Sequence, residues 1–478
     1  MLIFKKIGFV CSLFLVFTNV SAQKWVAKTY NYTIDKDIVF GTAVDFGGQI
    51  DTLKLDVAYP TNDTPPVCGR PLVLVIYGGA FMAGSKNDGE VQKLMIDFAK
   101  RGYIAAATSY RLGMFQTAAA INCNITPAFS VEWNCLNVTD TIEWYRAYYR
   151  AIQDTKGAIR YLVNSSYAIN QQNVFITGFS AGAITALGAA YLDHPAEWSA
   201  FANAQSTVSK PNEIYDNGCV KKYNWNADLD SLKLERPALG DLKGDLNNPA
   251  TTKYTVKAVG ANYGLMFSNL FDSSVGVQPA LYCFHQPADL IVPYKPFTKV
   301  LQGLSDCAYG ACGNRHIINR PVVNSSKGMV DWLKERNAAG KVTPDYLFDS
   351  TLNNADCATQ VFDPSKGGHQ LDNFDLRTGN MATFFAKYID TADCASSVKI
   401  LTLSQVNIYP NPAKSVVNVS SKVPVAYTLY NQLGQPVLTS QTYTENYVLD
   451  IAAFSKGVYL LQLKAHNSAG FTVKLVFD

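Results

Sequence analysis

The stretch ITGFSAGA sets Gly178, Phe179, Ser180, Ala181 and Gly182 in the pattern G-x-S-x-G, after the apolar run NVFITGF and before the Ala-rich ITALGAAYL. A serine hydroxyl is a weak nucleophile. It attacks a carbonyl only when a base takes its proton, and the base in turn needs a carboxylate to orient it. The two glycines suit a strand-to-helix turn too tight for larger side chains, with a helix N-terminus that favours developing negative charge. A plain strand-helix turn is the competing reading; a strand pattern before the serine and a helix pattern after it favour the nucleophile.

Beyond the N-terminal leader the histidines are His194, His285, His316, His369 and His466. His369, on the Gly-flanked stretch SKGGHQLDNF, is the candidate base, because it stands last before the final β segment, in the chain order serine, acid, histidine. His285 ends an apolar strand and is expected to pack or hydrogen-bond near the acid loop. Asp289 in CFHQPADLIVPY is the candidate acid, just past the carboxyl end of a buried strand, where open α/β sheets place functional groups. Asp306 and Asp349 are its rivals. An oxyanion formed at Ser180 needs N–H donors, and Ala181 supplies one. In LVIYGGAFMAGSK a strand-like run ends at Tyr77 and meets Gly78, Gly79 and Ala80. Bare backbone there lets the N–H groups of Gly79 and Ala80 approach a substrate closely.

These groups need a scaffold. Strand-like runs recur at LKLDVAY (53–59), LVLVIY (72–77), YIAAATSY (103–110), NVFITGF (173–179), VKAVGAN (256–262) and ALYCFH (280–285). Most are apolar at both alternating sets of positions, as suits strands covered on both faces. Between them DTIEWYRAYYRAIQDTKGAIRYLVN repeats its apolar residues three and four apart, at Tyr145, Tyr148, Ile152, Thr155, Ile159 and Leu162, with Asp140 and Glu143 as a capping box. Alternating strands and helices predict an α/β class with a largely parallel sheet. Near Leu403 the period falls to two, at Tyr459/Leu461/Leu463 and Phe471/Val473/Leu475/Phe477, with turn signals at Gly434, Gly457 and Gly470. That pattern predicts a small all-β sandwich. The expected plan is a leader at 1–22, a main α/β domain at 23–393, a linker at 394–402 and the β domain at 403–478.

A chain of 478 residues supports at least two domains. A formal net charge of +3 without a dense Lys/Arg block argues against nucleic acid or an anionic membrane as partner. The start, MLIFKKIGFVCSLFLVFTNVSAQ, pairs Lys5 and Lys6 with an apolar segment and then Val20-Ser21-Ala22, the pattern of a secretory signal peptide cut after Ala22. Its apolar run is shorter than the roughly 20 residues a bilayer needs, and no other stretch reads as an integral membrane span. Of ten cysteines Cys11 leaves with the leader. The expected pairs are Cys123/Cys135, Cys307/Cys312 and Cys357/Cys394, with Cys283 a buried, inert thiol. No Cys/His spacing resembles a metal site, and no cofactor is expected. A long insertion from Met114, carrying Phe129 and Trp133 and reaching Trp144, is expected to form a lid in which these aromatics line a pocket or make the lid's own core; Ser206 to Thr255 is a second insertion.

YGGAF, SYRLG (Ser109 to Gly113), the helix carrying Gln153 and Asp154, GFSAGA, the D-x-x-V-P-Y at Asp289 and the GGH at His369 together resemble the α/β-hydrolase superfamily. Within it they are most similar to carboxylesterases related to the type-B and hormone-sensitive-lipase groups, over Leu53 to Tyr388. The resemblance implies an α/β-hydrolase fold with an eight-stranded, mostly parallel sheet. It also implies a Ser180, Asp289 and His369 triad, and an oxyanion hole of Gly79, Ala80 and Ala181. The implied chemistry is serine carboxylic-ester hydrolysis through an acyl-enzyme, on an acyl or aryl ester such as a polysaccharide-linked acyl group or a polyester. Tyr77 stands where many relatives carry His. Arg111 and Asp154 resemble a structural ion pair of the family. Two alternatives stay open: a peptidase of the same fold, and a non-catalytic binding protein on that scaffold. YPNP (409–412), LYNQLGQPV and GVYLLQL resemble the sorting domain of type IX secretion, which implies the secretion machinery as a partner and release to, or display on, the cell surface. A carbohydrate-binding module is the competing reading, disfavoured because no Trp follows Trp332.

Overall fold

The computed structural model describes residues 24–113 apart from 47 and 62, 141–205, 236–309 apart from 268–269, 272–277 and 297, 321–390 apart from 352–354 and 364–365, and 399–478 apart from 401–405, 466–467 and 470. The expected signal peptide, both insertions in large part, Phe129, Trp133, Cys123, Cys135, Cys312 and Cys394 lie outside the described residues.

In chain order the strands are β1 (Asn31–Val44), β2 (Ile50–Thr61), β3 (Arg70–Ile76), β4 (Ile104–Thr108), β5 (Ile169–Phe179), β6 (Val256–Asn262), β7 (Leu265–Met266), β8 (Ala280–Phe284), β9 (Thr298–Lys299), β10 (Val322–Ser325) and β11 (Tyr346–Asp349). Eight of them form one sheet in the order β1-β2-β4-β3-β5-β6-β8-β11. β2 pairs antiparallel with β1 and β4, and every other pair in this sheet is parallel. The six strand-like runs of the sequence fall on β2, β3, β4, β5, β6 and β8. All of β3 and β4 is buried, which is why their apolar runs do not alternate. β1 escaped the pattern because it is a largely exposed edge strand with two register shifts, and β11 because it has only four residues.

Helices α1 (Gly89–Lys100), α2 (Thr141–Val163), α3 (Ala181–Tyr191), α4 (Gln302–Tyr309), α5 (Ser326–Ala338), α6 (Cys357–Phe362) and α7 (Phe374–Ala386) accompany this sheet. α1 and α7 meet where Phe98 stacks on Phe385, which stacks in turn on Phe175 of β5. α2 and α3 approach so closely that a Cβ at Gly188 would lie 2.3 Å from the Tyr148 hydroxyl. Each large apolar side chain buried in these layers contributes about 1.5–3 kcal/mol. The parallel strands end level with one another: Ile76 is paired with Gly178, Gly178 with Ala261, and Asn262 with Phe284. The loops that follow β3, β5, β6 and β8 therefore open onto one edge of the sheet, and the candidate chemistry lies there.

Cys307 is bonded to Cys357 across 50 residues, which corrects the expected Cys307/Cys312 and Cys357/Cys394 pairs. Neighbours in sequence were favoured on spacing alone, whereas the fold sets α4 beside the start of α6. Cys68 is also disulfide-bonded. Cys283 is a free, buried thiol in β8, and burial pushes it up to about 12.

The C-terminal unit contains β12 (Lys399–Ile400), β13 (Val406–Tyr409), β14 (Val416–Tyr430), β15 (Pro436–Asp450), β16 (Gly457–Ala465), β17 (Ser468–Ala469) and β18 (Phe471–Phe477). β14 shifts register between Ser420 and Val425; its first half pairs with β13 and its second with β16, while β15 accompanies both halves. The alternate residues Val417, Val419, Leu461, Leu463, Leu475 and Phe477 form a core of their own, as period-two patterning requires. β12 pairs with β17, so strand pairing in this unit reaches back to Lys399. Among the described residues no helix is long and apolar enough to cross a membrane.

Candidate active site

Ser180 occupies the single position between β5 and α3, with φ 54° and ψ −120°. A non-glycine residue in that conformation is strained, and strain of this kind persists only where the surroundings enforce it. Two enforcers are glycines. A Cβ on Gly182 would lie 2.2 Å from the Ile76 carbonyl oxygen, and one on Gly178 would lie 2.4 Å from the Gly182 carbonyl carbon. A third is Asn262, whose backbone carbonyl accepts from the Ser180 N–H at 3.1 Å while its side-chain amide donates to the Gly178 carbonyl, also at 3.1 Å.

The Gly78–Ala80 stretch leaves β3 and passes directly over this turn: a Cβ on Gly78 would sit 3.0 Å from the Ser180 Cβ. Gly79, Ala80 and Phe81 follow with φ of 105°, 53° and 60°. Such a run reverses the chain tightly, and the Met82 and Ala83 N–H groups return to the Gly79 carbonyl. Tyr77, the departure from the usual His, stacks on Tyr110 at 4.4 Å. The Tyr77 hydroxyl donates to the Tyr110 carbonyl, and the Tyr110 hydroxyl lies 3.3 Å from the Tyr77 carbonyl and 3.4 Å from that of Gly78. This reciprocal pair fixes the base of the loop. Arg111 and Asp154 are paired through the guanidinium and the Arg111 backbone N–H, a buried clamp between the end of β4 and α2.

His369 and Asp289 come together although 80 residues separate them: His369 Nδ1 lies 2.9 Å from Asp289 Oδ2. The acid loop curls so that Oδ1 accepts from the Ile291 and Val292 N–H groups at 2.8 and 3.0 Å. The histidine loop is pressed against it, since a Cβ on Gly368 would lie 2.4 Å from the Asp289 nitrogen. The rival acids are elsewhere. Asp349 serves Tyr282, Arg377 and Asn380, and Asp306 is on α4.

Two further side chains join these groups, His285 near the acid loop as expected and Tyr263 without a reading from sequence. His285 is fully buried, and its Nε2 lies 3.1 Å from the same Asp289 Oδ2. Tyr263, one residue past β6, has its ring 4.6 Å from that of His369 and 6.0 Å from that of Phe179, which precedes the serine. An aromatic followed by Gly264 directly after a buried strand was the available signal. Trp144 is buried edge-on against Phe81 and belongs to the core.

Burial alone would raise the Asp289 carboxyl, but His369 and His285 outweigh it and hold the group well below the usual carboxylate range. An ionised Asp289 only accepts, so His369 must carry its proton on Nδ1, leaving Nε2 as the acceptor. Because the folded-state pKa is depressed, this carboxylate contributes stability that is present above the unfolded value of about 3.9 and is lost as pH falls through the folded one. The difference in urea unfolding free energy between the wild type and Asp289→Asn is thus expected to narrow below about pH 4. A difference unchanged down to pH 2 contradicts this.

Residues 55–130 match the BD-FAE family, and residues 407–478 match the secretion system C-terminal sorting domain. Similar solved structures include a truncated carbohydrate esterase from gut microbiota, at 15% identity over 76% of this chain and 97% of that one, TM-score 0.38. Brefeldin A esterase, a bacterial homologue of human hormone-sensitive lipase, is 10% identical over 76% and 78%, TM-score 0.32. Esterase 2 of Thermogutta terrifontis phosphorylated by paraoxon is 14% identical over 72% and 93%, TM-score 0.33. No curated protein sequence matches the chain. The strand order and the strained serine turn are those of an α/β-hydrolase fold, with residues 55–130 similar to the BD-FAE family and residues 407–478 similar to the secretion system C-terminal sorting domain.

Proposed function

We propose that this chain is an exported serine carboxylic-ester hydrolase. His369 Nε2 takes the proton of Ser180 Oγ as the oxygen attacks the ester carbonyl. The resulting oxyanion is met by the N–H groups of Gly79, Ala80 and Ala181. Collapse of this intermediate breaks the bond to the leaving alcohol, which receives the proton from His369 and leaves an acyl-Ser180. Water then attacks the acyl carbon, giving its proton to His369, and expulsion of Ser180 Oγ regenerates the hydroxyl and releases the acid. Asp289 stays ionised throughout and holds the imidazole in the required tautomer.

The observations that support this reading are a serine held at φ 54° between β5 and α3 and a histidine whose Nδ1 lies 2.9 Å from a buried carboxylate. Acyl and aryl esters, including polysaccharide-linked acyl groups and polyesters, are the proposed substrate class. The sorting domain is proposed to deliver the enzyme through the type IX machinery, after signal-peptide removal, to the cell surface or the medium. A panel of p-nitrophenyl esters, feruloyl esters and a polyester film is the test. Ser180→Ala is expected to lower turnover by about 10⁴-fold or more; ester turnover that survives in the variant refutes the nucleophile.

A further inference from the structure

A cavity of about 380 Å³ lies away from the serine, between α2, the turn joining β1 to β2 and the segment 236–239. Its lining includes four arginines, Arg111, Arg146, Arg150 and Arg236, none more than 9% exposed. Glu143, Arg146 and Arg150 present one face of α2, at positions i, i+3 and i+7. Among the described residues three carboxylates stand against the four guanidiniums, Glu143 and Asp45 in the lining and Asp154 behind Arg111. The balance is positive among side chains that are themselves buried.

The hydrogen bonds sharpen the point. Arg111 is engaged by Asp154, Gln153 and the Val44 carbonyl, and Arg236 by Glu143. Among the described residues Arg146 donates only to uncharged acceptors, the carbonyls of Phe201, Asn203 and Pro237. Arg150 donates to the Gly113 carbonyl at 3.1 Å, and its buried Nε has no partner among the described residues. Unpaired donors on buried cations are costly and are normally matched by an anion. Burial, with Arg146 and Arg111 adding to it against the opposing Glu143 and Asp154, pushes Arg150 down to about 10.

We propose that this cavity is a binding site for a small oxyanion, a carboxylate or a phosphate, held by the guanidiniums of Arg150 and Arg146. A guanidinium offers parallel N–H donors that match two oxygens of such a group. The site is separate from ester chemistry, so its test does not depend on turnover.

The test is calorimetric titration of the full chain with inorganic phosphate and, separately, with malonate, at constant ionic strength in sodium chloride. Saturable binding near one site per chain is expected for at least one of the two, and the preferred probe tells phosphate from carboxylate. Arg150→Gln is expected to weaken that binding at least tenfold. Ala238→Glu, at an exposed position of the lining, keeps every guanidinium and adds a competing carboxylate. It should weaken binding by a similar factor and decides the matter if Arg150→Gln does not fold. No saturable heat with either anion, or unchanged affinity in Ala238→Glu, overturns the proposal.

Discussion

Asp289→Asn is expected to lower kcat for ester turnover by about 10⁴-fold, with a much smaller change in KM. The carboxylate is surrounded by donors on both sides: two imidazole nitrogens face Oδ2, and two backbone N–H groups face Oδ1. An amide has one acceptor oxygen and one NH2 group. Whichever way it turns, the NH2 confronts two donors, so either the histidines or the loop backbone must lose their acceptor. If His369 gives up its Nδ1 proton to accept from the amide, its Nε2 becomes protonated and can no longer take the Ser180 proton. The measurement is steady-state kinetics on a p-nitrophenyl ester, with circular dichroism to establish that the variant is folded. A folded variant within tenfold of the wild-type rate removes Asp289 from the proposed role.

Gly182→Ala is expected to disrupt the serine turn and the loop above it together. The new Cβ would lie 2.2 Å from the Ile76 carbonyl oxygen and 2.5 Å from that of Tyr77. Both belong to the main chain at the end of β3, a central strand that cannot yield without moving the Gly78–Ala80 loop. Overpacking of this kind costs about 3 kcal/mol, which in a domain of this size lowers Tm on the order of 5 °C, and turnover should fall with it because the serine turn and the loop shift together. Gly379→Ala is the matched control. Gly379 lies inside α7 with nothing within 4 Å of an added Cβ, and alanine there is expected to stabilise by about 0.5–1 kcal/mol. Equal thermal shifts in the two variants would mean that close approach at Gly182 does not constrain the turn.

The contrast between these sites and the rest of the chain explains what could be read in advance. Ser180 announces itself because its turn needs small residues on both sides, and a packing demand of that kind is written locally in the sequence. His369 and Asp289 were chosen by chain order and strand ends, and their 2.9 Å contact depends on a Gly368–Asp289 approach that spans 79 residues. Such long-range contacts leave little local trace. For the same reason Tyr263, set between Phe179 and His369 one residue beyond a strand-like run, was not singled out, and His285 was placed near the acid loop without its partner Asp289. Central strands were legible because burial on both faces makes them continuously apolar. β1 and β11 were not, one polar and exposed, the other too short to show a period. The Cys307–Cys357 bond belongs to the same class, since sequence proximity favoured a partner that the fold does not supply.

The central claim is that the Ser180 hydroxyl is an activated nucleophile. Its most direct measurement is titration of the full, folded chain with a fluorophosphonate, followed by mass mapping of the adduct. The account predicts one adduct per chain, on the peptide that contains Ser180, with ester turnover falling in proportion to labelling and no adduct on Ser180→Ala. A native chain that takes up no label, or takes it up at another residue while turnover persists, would contradict it.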